Sequence, residues 1–153
     1  MFPAWFVKID ILGYNCRMID NFDSRKIKQF AEKHGLNLVV LFGSRARGEE
    51  RKGSDTDIAV FAGKKKDVRE ISEMQIEFSE TFHIKDIELV DISGKAPLFL
   101  KQVSDDGKVL YERKPGIFDE FQIYAFKRYV EAKPLFALRK QFTEDFIRSH
   151  ATM

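Results

Sequence analysis

Two strand-like segments joined by a short basic stretch constrain this chain more than any other feature. Leu38-Val39-Val40-Leu41-Phe42 is an unbroken apolar run with a β-branched centre, ended by Gly43. Such a run suits a strand buried on both faces. Ten residues beyond Gly43-Ser44, the segment Asp55-Thr56-Asp57-Ile58-Ala59-Val60-Phe61 alternates as a strand does. Thr56, Ile58 and Val60 fall on one face, and Asp55 and Asp57 fall together on the other. At the turn between them, Gly43 tolerates backbone angles closed to other residues. It can therefore bring Ser44, with the first free N–H groups of a following short helix, close to a phosphate. Arg45 and Arg47 add positive charge beside that turn. The expected unit is a strand, a phosphate-binding turn, and a second strand whose two carboxylates point the same way.

Two aspartates one residue apart at the head of an apolar strand repel each other and cost desolvation unless a cation sits between them. Mg²⁺ answers that need, because it prefers oxygen ligands and is usually held by one or two carboxylates together with substrate phosphates. A third acid is expected on a neighbouring strand. Ile84-Lys85-Asp86-Ile87-Glu88-Leu89-Val90-Asp91-Ile92 offers it, with Ile87 and Leu89 toward the core and Asp86 and Glu88 away from it. Glu88 is the choice, since it lies mid-strand between apolar residues. Asp86 sits near the start of the strand, and Asp91 belongs to the other face. Taken singly, Gly43-Ser44 reads as an ordinary strand-ending turn and the two aspartates as a solvated strand edge. Joined at this spacing, with Glu88 downstream, they read as a metal-dependent nucleotide-transfer site.

GSRARGEERKGSDTDIAV, followed by IELVDI and then GKVLYE, resembles the minimal nucleotidyltransferases of the DNA polymerase beta superfamily, whose pattern is Gly-Ser, a spacer, Asp-x-Asp and a third acid. The resemblance runs from about Phe22 to the end of the chain. It implies an α+β fold, a small mixed β-sheet with helices packed on one face and a C-terminal helical segment. It implies two divalent ions, Mg²⁺ by expectation, at Asp55, Asp57 and Glu88. ATP would be co-substrate, its triphosphate at Gly43 and Ser44 and within reach of Arg47, a position often basic in relatives. One departure stands out, since the third acid is often Asp in such proteins and is Glu88 here. Many small proteins of this kind are similar to antitoxins that silence a HEPN-domain ribonuclease toxin by adenylylating one of its tyrosines. The leading expectation is therefore AMP transfer to a tyrosine of such a partner. Adenylylation of a small hydroxylated molecule such as an aminoglycoside is a second reading, although those relatives usually carry a further substrate domain. Neutralisation of a partner by contact alone is a third, and gives no reason to keep three acids on one face.

Composition narrows the remaining classes. The 153 residues suit one domain with a real core, and 15 Phe supply bulky filling. With 26 basic and 24 acidic residues the formal charge is +2, which gives no bias toward nucleic acid or an anionic membrane. The single cysteine, Cys16, excludes an internal disulfide framework and suits a reducing compartment, so the expected location is the cytoplasm. No apolar run approaches a membrane span. The three histidines lack metal-ligand spacing.

Along the chain, residues 1–21 read as an N-terminal extension. Met18 lies where proteins of this type are expected to begin, so residues 1–17 are either a mis-assigned start or a genuine addition. Residues 22–114 read as the nucleotidyltransferase core. Asp23 or Ser24 caps a helix through about His34, with Ile27, Phe30, Ala31 and His34 along one stripe. Val68, Ile71, Met74, Phe78 and Phe82 recur at helical spacing between the second and third strands. This connection should bring the Glu88 strand beside the Asp55 strand. A short helix over 97–103, a turn at Asp105-Asp106-Gly107 and a strand at Val109-Leu110-Tyr111 follow. Lys64-Lys65-Lys66 reads as a solvated loop. Residues 115–153 read as two amphipathic helices separated at Pro134. Their apolar surface exceeds what a small sheet needs: the first of them is expected to close the far side of the domain, and the surplus suggests homo- or hetero-oligomer contacts through these helices.

Overall fold

The computed structural model describes residues 22–49 and 54–150. The N-terminal extension with Cys16 and Met18, and the loop positions Arg51, Lys52 and Gly53, lie outside the described residues. The described residues form nine elements in order: α1 (Ser24–Lys33), β1 (Leu38–Phe42), α2 (Gly43–Arg47), β2 (Thr56–Phe61), α3 (Val68–Phe82), β3 (Ile87–Asp91), α4 (Pro97–Asp106), β4 (Lys108–Glu112) and α5 (Ile117–His150). The four strands form one mixed sheet in the order β3-β2-β1-β4. β1 runs antiparallel to both β2 and β4, while β2 and β3 run parallel. A parallel pair needs a crossover, and α3 supplies it.

β1 is buried along its whole length, which explains its unbroken apolar sequence. Its side chains divide by parity. Val39 and Leu41 join Ile58, Val60, Ile87 and Leu89 under α1 and α3. Leu38, Val40 and Phe42 join Ala59 and Ile92 under α4 and the start of α5, through Leu100, Val103 and Ala125. The structure thus adds a second helical layer, α4 beside the start of α5, to the one that the resemblance led us to expect.

The first core is largely aromatic. Phe78 is fully buried, with Phe30 set edge-on at 5.1 Å and Phe82 at 4.5 Å between ring centres. Asp23 caps α1 by accepting from the Arg25 N–H at 2.9 Å. Asp67 and Glu70 form a reciprocal capping box at the start of α3, which satisfies two otherwise orphaned donors.

Three expectations change. α4 runs on through Asp106, so Asp105 and Asp106 end a helix and only Gly107 leaves it. Lys66 is not a solvated loop residue, because its backbone N–H donates to Asp91 Oδ2 at 2.7 Å and its ammonium pairs with Glu70 at 3.2 Å. Pro134 does not divide the C-terminal segment, because α5 is one helix with Pro134 inside it. The proline removes one N–H donor and crowds the preceding turn, but it lies on an exposed stretch where water can serve the freed carbonyl.

Replacing Phe78 by Ala empties the centre of the first cluster. The expected cost is about 3–5 kcal/mol, read as a fall in the urea midpoint with little change in slope.

Candidate active site

The site forms where the carboxyl end of β1 meets the beginnings of β2 and β3. Phe42 pairs with Asp57, and Asp57 pairs with Glu88, so the turn and two of the three acids are held by adjacent rungs of the sheet. Asp57 shares its strand parity with Ala59, which faces the second core, and Glu88 shares its parity with Ile92. Both acids therefore stand on the α4/α5 side. Asp55 directly precedes β2, which begins at Thr56, and is exposed, as is Glu88, whereas Asp57 is half-buried. Asp91 is buried on β3, where it accepts from the N–H groups of Lys66 and Ser93, and takes no part in this cluster.

Gly43 shows why the turn needs glycine. Its φ is +75°, and a Cβ built there would land on Asp57 Oδ2 and lie 3.0 Å from Asp57 Cγ. The left-handed backbone and the close approach of a carboxylate each exclude a side chain. α2 starts at this residue and ends at Gly48, which caps it in the left-handed conformation. Ser44 is the second residue of that helix and is partly accessible.

The electrostatics centre on Asp57. Burial raises its pKa above the ordinary carboxylate range, and the neighbouring charges of Glu88 and Asp55 raise it further, while Arg45 and Arg47 draw it back. Two acids and two arginines are thus close enough to act on Asp57. Arg45 donates from Nε and Nη2 to the Ser54 carbonyl at 3.1 and 2.9 Å, tying α2 to the segment that enters β2. Arg47 donates to Glu49 at 2.9 Å and to Asp106 on α4.

Every acid and turn residue expected from the sequence, namely Gly43, Ser44, Arg47, Asp55, Asp57 and Glu88, lies in this one region. The tie made by Arg45 and the part taken by Asp106 were not anticipated. The basic spacing of Arg45 and Arg47 hints at the first, and no local signal marks the second. Among the described residues no group of three or more His, Cys, Asp or Glu side chains is arranged so that it could hold a metal ion by itself. A Mg²⁺ ion needs only one or two protein carboxylates where substrate phosphates and water complete its coordination.

The profile described as polymerase beta, nucleotidyltransferase matches residues 25–116, a span that runs from α1 past β4. The chain belongs to this nucleotidyltransferase family. Among curated relatives, it is 31% identical to the protein adenylyltransferase MntA of Aphanizomenon flos-aquae, with 74% of this chain and 81% of that protein covered. It is 28% identical to the MntA of Shewanella oneidensis, with 76% and 80% covered. Among solved structures, a chain of a toxin–antitoxin crystal structure with AMP-PNP matches at a TM-score of 0.68 and 26% identity, over 82% of this chain and 99% of that one. A chain of an MntA–HepT toxin–antitoxin crystal structure matches at 0.62 and 25%, over 81% and 96%.

Two outcomes test this geometry. Gly43→Ala forces a left-handed alanine, at about 1–2 kcal/mol, and displaces the Asp57 carboxylate. Thermal melts should show the loss of stability, and titration with magnesium and AMP-PNP should show uptake fall further than the melts account for. In metal-free protein Asp57→Asn should raise the melting temperature at neutral pH. The folded-state pKa of Asp57 is raised, so wild-type stability falls as pH climbs from the ordinary carboxylate range through that raised value. The advantage of the Asn variant should accordingly fade as the pH is lowered through the same window.

Proposed function

We propose that this nucleotidyltransferase moves AMP from ATP to a tyrosine hydroxyl of a partner HEPN toxin, acting as the antitoxin of the pair. The observation that carries the reading is the packing of the Gly43 turn against Asp57, with Glu88 one rung away on the same face. That juxtaposition of a glycine turn and clustered carboxylates supports a site for a triphosphate and its cations. The name of the MntA relatives, protein adenylyltransferase, supports AMP transfer to protein. The toxin–antitoxin crystal structure with AMP-PNP supports both the partner and an adenine nucleotide. Exposed apolar residues along the second half of α5, among them Leu135, Phe142 and Phe146, offer a surface to a partner protein.

The donor set suits Mg²⁺. Asp55, Asp57 and Glu88 are hard oxygen ligands, and a cation among them would relieve the like charge of Glu88 and Asp55 on the half-buried Asp57. Asp55 and Asp57 would hold two ions, with Glu88 as the third ligand. When bound, the ions neutralise charge on the triphosphate and pyrophosphate and lower the pKa of the attacking hydroxyl.

The remaining work falls to the chain. The N–H groups at the start of α2 and the Ser44 hydroxyl bind the β- and γ-phosphates, and Arg47 adds charge-assisted donors. Together they align the α-phosphorus for in-line attack. The tyrosine oxygen forms a bond to the α-phosphorus as the bond from that phosphorus to the bridging oxygen breaks and pyrophosphate leaves. Glu88, exposed beside Asp57, accepts the phenolic proton, and its longer side chain reaches past the position a shorter acid would occupy. Among the described residues no helix is long and apolar enough to cross a membrane.

The test is incubation with labelled ATP, magnesium and the partner toxin, followed by mass spectrometry of the toxin. One or more AMP additions on a toxin tyrosine are expected with wild-type protein and none with Asp57→Asn, although that variant folds. Label confined to small molecules, or full transfer by the variant, would overturn the assignment.

A further inference from the structure

We infer that Asp106 is a positioning residue for the nucleotide, one that holds the Arg47 guanidinium so that its remaining donors are set toward the triphosphate. This rests on the proposed contact between Arg47 and the triphosphate, and it assigns a role to an acid that lies outside the family motif.

The position of Asp106 in its own helix is unfavourable. It is the last residue of α4, preceded by Asp105, and α4 has no basic residue in its last turn. The carboxyl end of a helix carries partial negative charge, so acids there are destabilising unless a cation answers them. Asp105 is answered within α4 by Lys101, one turn earlier. Asp106 is answered across the structure, by Arg47 at the end of α2.

The chain around Asp106 is pinned. A Cβ on the next residue, Gly107, would meet Val40 Cγ1 at 2.8 Å and Phe118 Cζ at 3.0 Å. Lys108 then pairs with Leu41 of β1, two residues before Gly43. The acid is thereby anchored to the same strand that delivers the turn. Its side chain is only 18% exposed, against 39% for Arg47, so the carboxylate is the fixed partner and the long arginine the one being held.

The guanidinium is gripped twice. Nε donates to Glu49 and Nη1 to Asp106. Of the five donors in the planar fork, two are used to set its plane and three remain for a ligand. The guanidinium thus sits at the end of the short helix that begins at Gly43, and its charge reaches Asp57. An arginine ordered before the nucleotide arrives loses less freedom on binding than one that must be ordered by it.

The test is calorimetric titration of AMP-PNP with Mg²⁺ into wild type, Asp106→Ala, Asp106→Asn, Asp106→Glu, Arg47→Ala and the Arg47→Ala/Asp106→Ala double variant, with thermal melts of each. Asp106→Ala should weaken uptake on the order of five- to tenfold, the scale of one charge-assisted hydrogen bond acting indirectly. Asp106→Asn, which keeps the shape and should fold where the alanine fails to, should show a smaller loss, and Asp106→Glu should recover part of the affinity. The double variant should bind no more weakly than Arg47→Ala alone, because the acid acts only through the arginine. Wild-type uptake by Asp106→Asn and Asp106→Ala, or losses that multiply in the double variant, would overturn the inference while leaving the nucleotide reading intact. Wild-type protein that takes up no AMP-PNP, or Arg47→Ala that binds as wild type does, would overturn the nucleotide contact and this inference with it.

Discussion

The contact between Gly43 and the Asp57 carboxylate is the constraint around which the rest of the molecule is arranged. A side chain at position 43 would occupy the space of that carboxylate, so the turn and the acid can only coexist if one of them has no Cβ. The antiparallel pairing of Phe42 with Asp57 puts them in contact and leaves no slack, since a one-residue slip would turn Asp57 into the opposite face. Register, glycine and carboxylate are a single requirement seen from three sides. The two helical layers hold that register by burying both faces of β1.

The same arrangement concentrates like charge. Asp57, the least solvated of the three acids, bears the cost of burial first and of the charges of Glu88 and Asp55 after it. Arg45 and Arg47 relieve it from the short helix beyond the turn. Neither is spent only on that. Arg45 fastens the segment entering β2 through the Ser54 carbonyl, and Arg47 spans from α2 to α4. The site is thus strained in charge and braced in structure, a combination suited to receiving a polyanion and its cations. Stability and function pull in opposite directions at Asp57, as is common where a protein keeps a group for chemistry.

Much of this was readable in the sequence, for reasons that particular residues make plain. Alternation along 55–61 placed Asp57 on the face opposite Thr56 and Ile58 because a strand has a period of two and nothing else is needed. The stripe through Met74 and Phe78 predicted the helix that brings the Glu88 strand beside the Asp55 strand, and the parallel pairing then sets Glu88 opposite Asp57. Pro134 misled because a proline's cost is local and an exposed helix can absorb it. Lys66 misled because its partner, Asp91, lies on a strand reached only after α3. Asp106 could not be recognised because its meaning comes from Arg47, distant in the chain, and a helix-ending acid looks like a turn residue when read alone.

Local chemistry and periodicity by themselves determined the strands, the crossover, the glycine turn and the side to which each acid points, since backbone geometry converts residue order directly into facing. The family was legible as well, through the resemblance of the Gly-Ser and Asp-x-Asp spacing to its pattern, and the family match over residues 25–116 agrees. Only the tertiary structure decided how closely Gly43 and Asp57 approach, which cation answers Asp106, and that α5 continues through its proline. Those outcomes depend on distances between segments far apart in the chain, and such distances exist only once the sheet has closed and both of its faces are covered.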